Sequence, residues 1–271
     1  MASRILFSLV LYKHKINDFK PLLDSIESLH KVLPKNYTLE LSIFDNTPKY
    51  KSNLAQKDLN LYSFDILYHL NKSNVGFGAA NNRNFNYLMP KNEDILIVTN
   101  PDIEFEANSM LDMVKHFDSN IRYSCISPLI QNKEGDIQYS AKKNPTLLSL
   151  LIGFYPILKS FNFFYKYDHF HKNKQFDYRS TFIKSSYLSG CFLLIKANVY
   201  KSIKGFNETF FLHFEDADIV RRCSNQGISL HYPKTTVTHF WARGSHNSIK
   251  QIIILIISMI KYFWIWGLEF Y

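Results

Sequence analysis

Three acidic side chains lie within four residues of one another in the second half of the chain. Glu215, Asp216 and Asp218 follow an aromatic stretch and begin a segment with helical periodicity. Acids at the start of a helix cap its amide groups and complement its dipole. Capping needs only one or two of them, however, and aromatic and acidic neighbours raise the pKa of a carboxyl group. The cluster therefore also suits a general base that works near neutral pH.

A second set of polar side chains follows predicted strands. Asn100 and Asp102 come directly after a buried strand pattern, and His239 ends another one further along the chain. Taken alone, Asn-Pro-Asp is typical of a strand-terminating turn, and a single histidine is more often structural than a ligand. Together, a carboxylate and an imidazole at strand ends suit a divalent metal ion.

Residues 74–82 form a turn of glycine and small residues that leads into a helical pattern. The turn superficially has the spacing of a dinucleotide fingerprint. Asn81 replaces the third glycine, however, and the turn follows the third strand rather than the first, which disfavours NAD binding. A loop whose backbone approaches a nucleotide or a sugar is the better interpretation.

The elements that must position these residues alternate between strand and helix patterns in the first half of the chain. Residues 19–33 have helical spacing, and four apolar runs predict strands that each stop at a polar turn: residues 5–12, 39–44, 65–70 and 95–99. Such alternation predicts right-handed crossovers and a mostly parallel sheet with helices on both faces. Because ligands bind at the carboxyl ends of these strands, we expect Asp45, Asn46 and Asp102 to lie close together.

The second half of the chain is less regular. Residues 145–184 are apolar, aromatic and basic and contain Gly153 and Pro156, which predicts a loop-like segment. Strand and helix patterns return at residues 187–195 and 216–225. The simplest organisation is one domain over residues 1–248, divided into a first half (1–130) and an elaborated second half (131–248).

The composition fits a folded chain with a surplus of basic residues. Of the 271 residues, 46% are hydrophobic and 20% charged, and 32 Lys and Arg against 23 Asp and Glu give a net charge of +9. Disorder is therefore excluded for most of the chain. The three cysteines form no C-x-x-C pair, which disfavours a disulfide scaffold or a zinc ribbon and indicates a reducing, cytosolic setting. No signal peptide is predicted.

The C-terminal segment is strongly apolar and aromatic. Residues 252–268 are interrupted by only a few polar or small residues, among them Lys261, and their length is at the short limit for a membrane span. Lys261 would be costly at membrane depth, whereas the neighbouring Tyr and Trp residues prefer interfaces. We expect residues 249–271 to form a helix that lies on a membrane surface, and a buried helix that closes the domain is the alternative.

Taken in order, the motifs between residues 4 and 245 resemble the family 2 glycosyltransferases. These are inverting enzymes with a GT-A fold, and the likeness is to the rhamnosyltransferase-like branch that builds bacterial O-antigen and capsule. It rests on Asp45-Asn46, residues 74–82, Asn100-Pro101-Asp102, Ser189-Gly190, residues 205–208, residues 211–218 with Arg221 or Arg222, and His239. The resemblance implies an α/β GT-A fold, with a Rossmann-like, mostly parallel sheet flanked by helices and a C-terminal apolar helix.

The resemblance also implies roles for individual residues. Asp216 matches the catalytic base, with Glu215 and Asp218 as supporting acids. Asp102 and His239 match the site of Mg²⁺ or Mn²⁺. The residues implied on the acceptor side are Ser189 and Gly190, and those implied in nucleotide binding are Tyr12, Asp45, Asn46, Asn74, Gly76, Asn82 and Asn100.

Three positions depart from the family pattern. Asn100 replaces the first acid of the D-x-D motif, Ala80 stands where glycine is frequent, and Asn207 replaces the Asp of Gly-Phe-Asp-Glu. The change at Asn100 bears on the metal site, and the other two bear on loop details.

The activity implied is transfer of rhamnose from dTDP-rhamnose to a hydroxyl of a lipid-linked saccharide, at the cytoplasmic face of the bacterial inner membrane. The acceptor is expected to contact residues 142–184. Alternatives are a UDP-hexose or UDP-galactofuranose donor, and a catalytically silent nucleotide-sugar-binding subunit of a polysaccharide assembly complex. Nucleic-acid binding is disfavoured because the basic residues are scattered among acids without a recognition motif.

Overall fold

The computed structural model describes residues 3–48, 59–71, 73–240 and 249–271. Its strands are β1 (Ser3–Leu11), β2 (Tyr37–Asp45), β3 (Asp65–Leu70), β4 (Ile95–Thr99), β5 (Ile103–Phe105), β6 (Tyr123–Gln131), β7 (Ala141–Lys142), β8 (Ile183–Lys184), β9 (Tyr187–Leu188), β10 (Phe192–Lys196) and β11 (Ile228–His239). Its helices are α1 (Ile16–Val32), α2 (Phe77–Leu88), α3 (Ala107–Ser119), α4 (Leu147–Phe154), a 3₁₀ helix (Pro156–Ser160), α5 (Asn162–His171), α6 (Ala197–Ser202), α7 (Glu215–Ser224) and α8 (Ile249–Trp266).

Nine strands of the described chain form one sheet in the order β3-β2-β1-β4-β10-β6-β11-β5, and β8 also pairs with β11. Strands β1 to β4, β6 and β11 run in one direction, whereas β5, β8 and β10 run in the opposite direction. The prediction of a mostly parallel sheet flanked by helices is therefore confirmed. Strands β7 and β9 form a separate antiparallel pair.

The two faces of β1 carry two different apolar cores. Ile5, Phe7 and Leu9 pack with residues of α1 and α3 on one face of the sheet. Leu6, which points the other way because side chains alternate along a strand, packs with residues of α2 and α7. Both faces of the central strands are buried, so their apolar runs are continuous.

A buried polar network fixes α2 on the sheet. The Ser42 hydroxyl donates to Asn84 Oδ1 (2.7 Å), and Asn84 Nδ2 donates to Ser8 Oγ (3.0 Å) and to the Leu9 carbonyl (3.0 Å). Ser8 in turn donates to Asn81 Oδ1 (2.6 Å). Since α2 begins at the glycine-rich turn, this network also determines where that turn lies.

Residues 147–171 are largely helical, so the prediction of a loop-like segment over residues 145–184 was wrong there, whereas residues 172–182 contain no helix or strand. Thr146 and Ser149 form a capping box that starts α4. Gly153 lies in the last turn of α4, and Pro156 begins the 3₁₀ helix, where its missing N–H costs no hydrogen bond. These residues separate consecutive helices rather than prevent them. The strand predicted over residues 187–195 is likewise divided into β9 and β10 at residues 189–191.

Helix α8 packs on the domain along one side only. Tyr262 and Ser258 are buried, and the Ser258 hydroxyl donates to the Leu212 carbonyl (2.8 Å). Lys261 Nζ donates to the Thr209 carbonyl (2.5 Å). Of the described helices, α8 alone is long and apolar enough to cross a membrane, and 11% of it is buried. It therefore closes the domain with one face and leaves a second apolar face exposed.

Replacing Asn84 by Ala should test the importance of the polar network. The substitution leaves the buried Ser8 and Ser42 hydroxyls without this partner, so we expect the free energy of unfolding to fall by about 2–3 kcal/mol. Urea denaturation measures the change. Asn86→Ala is the matched control, because Asn86 is exposed on the same helix. Equal losses in the two variants would show that the network is not the cause.

Candidate active site

The strand ends bring the predicted polar residues to one edge of the sheet. Strand β1 lies between β2 and β4, so Asp45 at the end of β2 and Asp102 after β4 approach the same region. The charges of both carboxylates act on His14, which follows β1. His239 reaches this edge at the end of β11, where the Phe240 N–H donates to the Asp102 carbonyl (2.9 Å).

Asp45 and Asn46 are buried at the end of β2. Asp45 accepts hydrogen bonds from the Thr47 N–H (2.8 Å) and the Tyr68 hydroxyl (2.9 Å). The Asn46 side chain donates to the Gly76 carbonyl (3.2 Å) and accepts from the Val75 N–H (3.2 Å). Asn46 therefore joins the end of β2 to the glycine-rich turn.

The glycine-rich turn is packed against the loop that precedes the acids. Gly76 has a φ of +91°, and a Cβ there would lie 2.5 Å from the Phe211 carbonyl oxygen. Phe77 N–H donates to that same oxygen (3.1 Å), while Asn74 Oδ1 accepts from the Gly76 N–H (2.9 Å). Glycine is required here both for its φ and for the close backbone approach.

Asn82 and Tyr12 differ sharply in what their side chains can still bind. Asn82 donates to Phe206 O and Glu208 Oε1 and accepts from the Tyr200 hydroxyl and the Phe206 N–H. Its amide is fully occupied, so Asn82 acts by holding the loop at residues 205–208. The Tyr12 side chain is 42% exposed and is open to a planar ligand.

Asp102 and His239 form the pair of candidate metal ligands. Asp102 Oδ1 lies 3.3 Å from His239 Nε2, and Asn100 Nδ2 lies 3.5 Å from the same nitrogen. Burial lowers the pKa of His239, but hydrogen bonds to Asp102 and Cys191 outweigh it and raise the pKa to about 10. Gln138 Oε1 lies 3.1 Å from Nδ1 and orients the ring.

This pair fits a metal ion that is completed by its substrate. In the described part of the chain, no three His, Cys, Asp or Glu side chains are grouped so as to hold an ion. Mg²⁺ commonly takes one or two carboxylates and fills its remaining positions with water and substrate phosphates. Asp102 supplies one such carboxylate, and His239 would bind the ion as a neutral imidazole, after releasing the proton that its raised pKa favours.

Glu215 and Asp216 begin α7 and behave as a coupled pair. Glu215 is 6% exposed, and its Oε2 has no hydrogen-bond partner among the described residues. Burial and the charge of Asp216 raise the pKa of Glu215 to about 8. Burial also raises the pKa of Asp216, although hydrogen bonding and the positive charge of Lys142 oppose this. At neutral pH Glu215 is therefore protonated, whereas the hydrogen bonds from Gly190 and Ala217 and the charge of Lys142 favour the charged form of Asp216.

The carboxylate of Asp216 is held by a short segment between β9 and β10. The Gly190 N–H donates to Asp216 Oδ2 (3.1 Å), and the Ala217 N–H donates to Oδ1 (2.8 Å). A Cβ on Gly190 would lie 2.8 Å from the Asp216 Cβ. Gly190 therefore contacts the predicted base itself, while the Ser189 hydroxyl lies 3.5 Å from Cys191 Sγ.

Two further side chains lie near Asp216, and neither was singled out by the motif pattern. Burial and the charge of Asp216 raise the pKa of the Tyr187 hydroxyl, and Lys142 lies over the Tyr187 ring with Nζ 5.1 Å from its centre. Strand pairing aligns these two residues, because Lys142 on β7 is opposite Tyr187 on β9. The only signal in the sequence was that Tyr187 comes shortly before Ser189-Gly190.

Asp218, the third acid, has partners outside the reaction centre. Its Oδ2 accepts two hydrogen bonds from Arg222 (2.6 and 2.9 Å), and its Oδ1 accepts one from Trp266 Nε1 (3.0 Å). Asp218 therefore attaches α8 to α7 instead of lying beside Asp216 as a supporting acid.

Known proteins resemble the chain in sequence and in fold. No protein-family model matches the chain. The chain is 25% identical to the N-acetylglucosaminyl-diphospho-decaprenol L-rhamnosyltransferase of Mycobacterium tuberculosis over 187 residues, which are 64% of this chain and 58% of that one. It is 26% identical to the rhamnosyltransferase WbbL of Escherichia coli over 163 residues, 58% of this chain and 57% of that one. The chain thus spans little more than half the length of these relatives.

Solved structures settle the fold. GalNAc-T7 with UDP, GalNAc and Mn²⁺ aligns over 93% of this chain and 47% of that one, with a TM-score of 0.62 and 13% identity. The mannosyltransferase PcManGT from Pyrobaculum calidifontis with GDP-Man and Mn²⁺ aligns over 91% and 59%, with a TM-score of 0.58 and 12% identity. The chain has the GT-A glycosyltransferase fold. The resemblance to rhamnosyltransferase-like glycosyltransferases is confirmed.

In this GT-A chain, the coupled acids should make stability depend on pH. The folded pKa of Glu215, about 8, lies above its ordinary value of 4.5. Its protonation therefore favours the folded state at low pH, and this contribution is lost as the pH rises through about 8. We expect the free energy of unfolding to fall between about pH 5.5 and about pH 8.5, and to fall less in Glu215→Gln.

Urea denaturation at the two pH values measures this difference. Glu134→Gln is the control, because Glu134 is exposed and should leave the wild-type pH dependence unchanged. A Glu215→Gln variant with the full wild-type dependence would contradict the raised pKa of Glu215.

Proposed function

We propose that this chain is an inverting glycosyltransferase that moves a sugar from a nucleotide diphosphate donor to a hydroxyl of a lipid-linked saccharide in bacterial surface-polysaccharide synthesis. The observation that carries the proposal is the position of Asp216. Its carboxylate has a raised pKa and is oriented by Gly190, next to the segment that also contacts Asn100 and His239. A base is thus held beside a site suited to a diphosphate and a metal ion.

In this proposal the nucleotide occupies the ends of β1 and β2. Tyr12 stacks on the base, Asp45 contacts it, and Asn46 contributes by holding the turn at Asn74 and Gly76, whose backbone approaches the nucleotide. Asn100 lies on the diphosphate side, at the end of β4. We prefer dTDP-rhamnose as the donor because the two curated relatives are named rhamnosyltransferases. A UDP-hexose or UDP-galactofuranose is the alternative, since one structural neighbour binds UDP.

Asp102 and His239 would hold Mg²⁺ or Mn²⁺, which neutralises the charge that develops on the departing diphosphate. Asp216 takes the proton of the acceptor hydroxyl. The hydroxyl oxygen then forms a bond to the anomeric carbon, while the bond from that carbon to the diphosphate oxygen breaks on the opposite face. The sugar is transferred with inversion, and the proton remains on the base.

The proposed arrangement assigns residues 1–130 to nucleotide-sugar binding and residues 131–248 to the acceptor and catalysis. The helix in residues 249–271 would attach the protein peripherally to the cytoplasmic face of the inner membrane. This attachment is supported by the exposed apolar face of α8 and by the interfacial preference of its aromatic residues.

Replacing Asp216 by Asn should separate catalysis from binding. Gly190 and Ala217 donate to different carboxylate oxygens, so the amide oxygen of Asn keeps one of these hydrogen bonds, and the group can no longer take a proton. We expect transfer to fall by a factor of about 10³, with the affinity for the nucleotide sugar unchanged. The measurements are product formation on a lipid-linked acceptor and calorimetric donor binding. Asp112→Asn, on the exposed side of α3, is the matched control.

Near wild-type turnover in Asp216→Asn would refute the base assignment. If the wild-type protein transfers no sugar from any of the candidate donors but still binds one of them, the silent-subunit alternative is favoured instead.

Removing the metal should abolish activity if Asp102 is a ligand. We expect the wild-type protein to lose transfer in chelator and to regain it with Mn²⁺ or Mg²⁺, and Asp102→Ala to lose the metal-supported activity. Glu104→Ala is the control, because Glu104 is an exposed acid two residues away. Full activity of the wild-type protein in chelator would exclude the metal role.

A further inference from the structure

More than half of the net positive charge of this chain belongs to one short segment. Residues 142–174 contain six lysines and a single acid, Asp168, which gives the segment a net charge of +5 out of the +9 of the whole chain. The same segment exposes many large apolar side chains: Leu151, Phe154, Tyr155, Ile157, Phe161, Phe163, Tyr165 and Phe170. Basic and aromatic groups are therefore concentrated together.

Helix α5 has one exposed side on which aromatic and basic residues alternate. Phe163, Lys166 and Phe170 are exposed, and their spacing of three and four residues places them along the same side of the helix. Lys143 adds a second positive charge there, because its Nζ lies 4.2 Å from the centre of the Phe170 ring. We call these four residues the α5 face.

A buried carboxylate lies on the opposite side of α5 and fixes the helix to its neighbours. Asp168 is 5% exposed, and its carboxylate oxygens lie near the Nζ atoms of three lysines. The distances are 2.6 Å to Lys172, 3.1 Å to Lys174 and 3.5 Å to Lys159 of the 3₁₀ helix. Because three ammonium groups share one carboxylate, this cluster adds positive charge to the segment instead of neutralising it.

The exposed apolar surface continues from α5 to α8. Helix α5 packs on α4 and on the 3₁₀ helix. Leu151 and Phe154 of α4 line an apolar groove together with Met259 of α8 and Phe270 of the tail. Exposed apolar side chains thus extend from the apolar face of α8 through α4 to the α5 face.

This combination of groups fits the surface of an anionic bilayer. Aromatic side chains prefer the interfacial region of a membrane, and lysines beside them are attracted by anionic headgroups. A bilayer offers apolar and anionic groups side by side over a wide area, as the continuous surface from α8 to α5 requires. Positive charge concentrated on this surface therefore matches the charge of the partner.

We propose that the α5 face is a second membrane-binding surface, which binds the headgroups of anionic lipids. This goes beyond the proposed attachment through α8, which relies on apolar side chains. It makes membrane binding depend on the content of anionic lipid. Two separate contacts, on α5 and on α8, also determine how the domain is turned relative to the bilayer.

The test measures co-sedimentation of the full chain with vesicles of phosphatidylcholine, alone or mixed with phosphatidylglycerol. We expect the wild-type protein to bind the anionic vesicles at least about tenfold more tightly, and to lose this preference at high salt. Because each lysine near the surface contributes about fivefold, Lys143→Gln and Lys166→Gln should each weaken binding to the anionic vesicles by that factor. Their binding to phosphatidylcholine alone should not change.

Phe163→Ser tests the aromatic part of the α5 face. Since the ring inserts among apolar groups of either vesicle, its loss should weaken binding to both kinds by about fivefold or more. The matched controls are Lys115→Gln on α3 and Ile121→Ser after it, because both residues are exposed and lie outside residues 142–174. Both control variants should bind like the wild-type protein.

A fluorophore that responds to its environment shows where the contact lies. The native cysteines Cys125, Cys191 and Cys223 are buried, so a maleimide label should react selectively with an exposed cysteine introduced by Phe163→Cys. Its emission should shift to shorter wavelength on anionic vesicles. The same label introduced with Ile121→Cys should show no shift.

Equal affinity of the wild-type protein for the two kinds of vesicle would overturn the proposal, and so would wild-type affinity in both lysine variants. A shift of the label at residue 163 that follows protein concentration without vesicles would assign this face to a second copy of the chain and would also overturn it. The assay uses neither donor nor acceptor. Absent glycosyl transfer with intact binding to anionic vesicles would therefore contradict the proposed function alone.

Discussion

The candidate site depends on the short segment of residues 189–191, which joins its two halves. The Cys191 carbonyl accepts the Asn100 N–H (2.9 Å), and the Gly190 N–H holds Asp216 (3.1 Å). The segment leads into β10, which runs antiparallel between β4 and β6. Because both hydrogen bonds use backbone groups of this segment, next to a buried strand, the sheet positions the strand-end residues relative to the predicted base.

Several conformational and electrostatic features of this site are energetically unfavourable. His213 and Phe214 both have positive φ values directly before α7, although neither is glycine. Glu215 is buried beside a second acid, and one of its oxygens has no hydrogen-bond partner in the part of the chain that the structure describes. The two apolar clusters of the sheet and the Asn84 network stabilise the fold and offset these unfavourable features. Unfavourable local features of this kind are expected where a group must be ready to bind or to take a proton.

Helix α8 connects the exposed apolar surface to the reaction centre. Trp266 is hydrogen-bonded to Asp218, and Arg221 donates to Tyr262 (3.2 Å) and to Glu269 (3.0 Å). Asp218 and Arg221 both lie on α7, the helix that begins with the coupled acids. Helix α8 is therefore one rigid element with two faces. One face packs on the domain, and the other is apolar and exposed. For this reason, α8 can lie on a membrane while α7 keeps a precise position.

The sequence by itself determined the elements whose signals are local. Apolar runs and polar turns predicted β1 to β4. The ordered motifs predicted the start of α7 at the acids and showed the resemblance to GT-A enzymes. Tertiary structure decided the rest. The helices of residues 147–171 were not predicted, because Gly153 and Pro156 indicate a break in secondary structure but do not indicate which structure lies before and after it. The partners of Asn82 and Asp218, and the approach of Lys142 and Tyr187 to Asp216, result from pairings between distant segments. Such contacts depend on which strands become neighbours, and no local pattern encodes that choice.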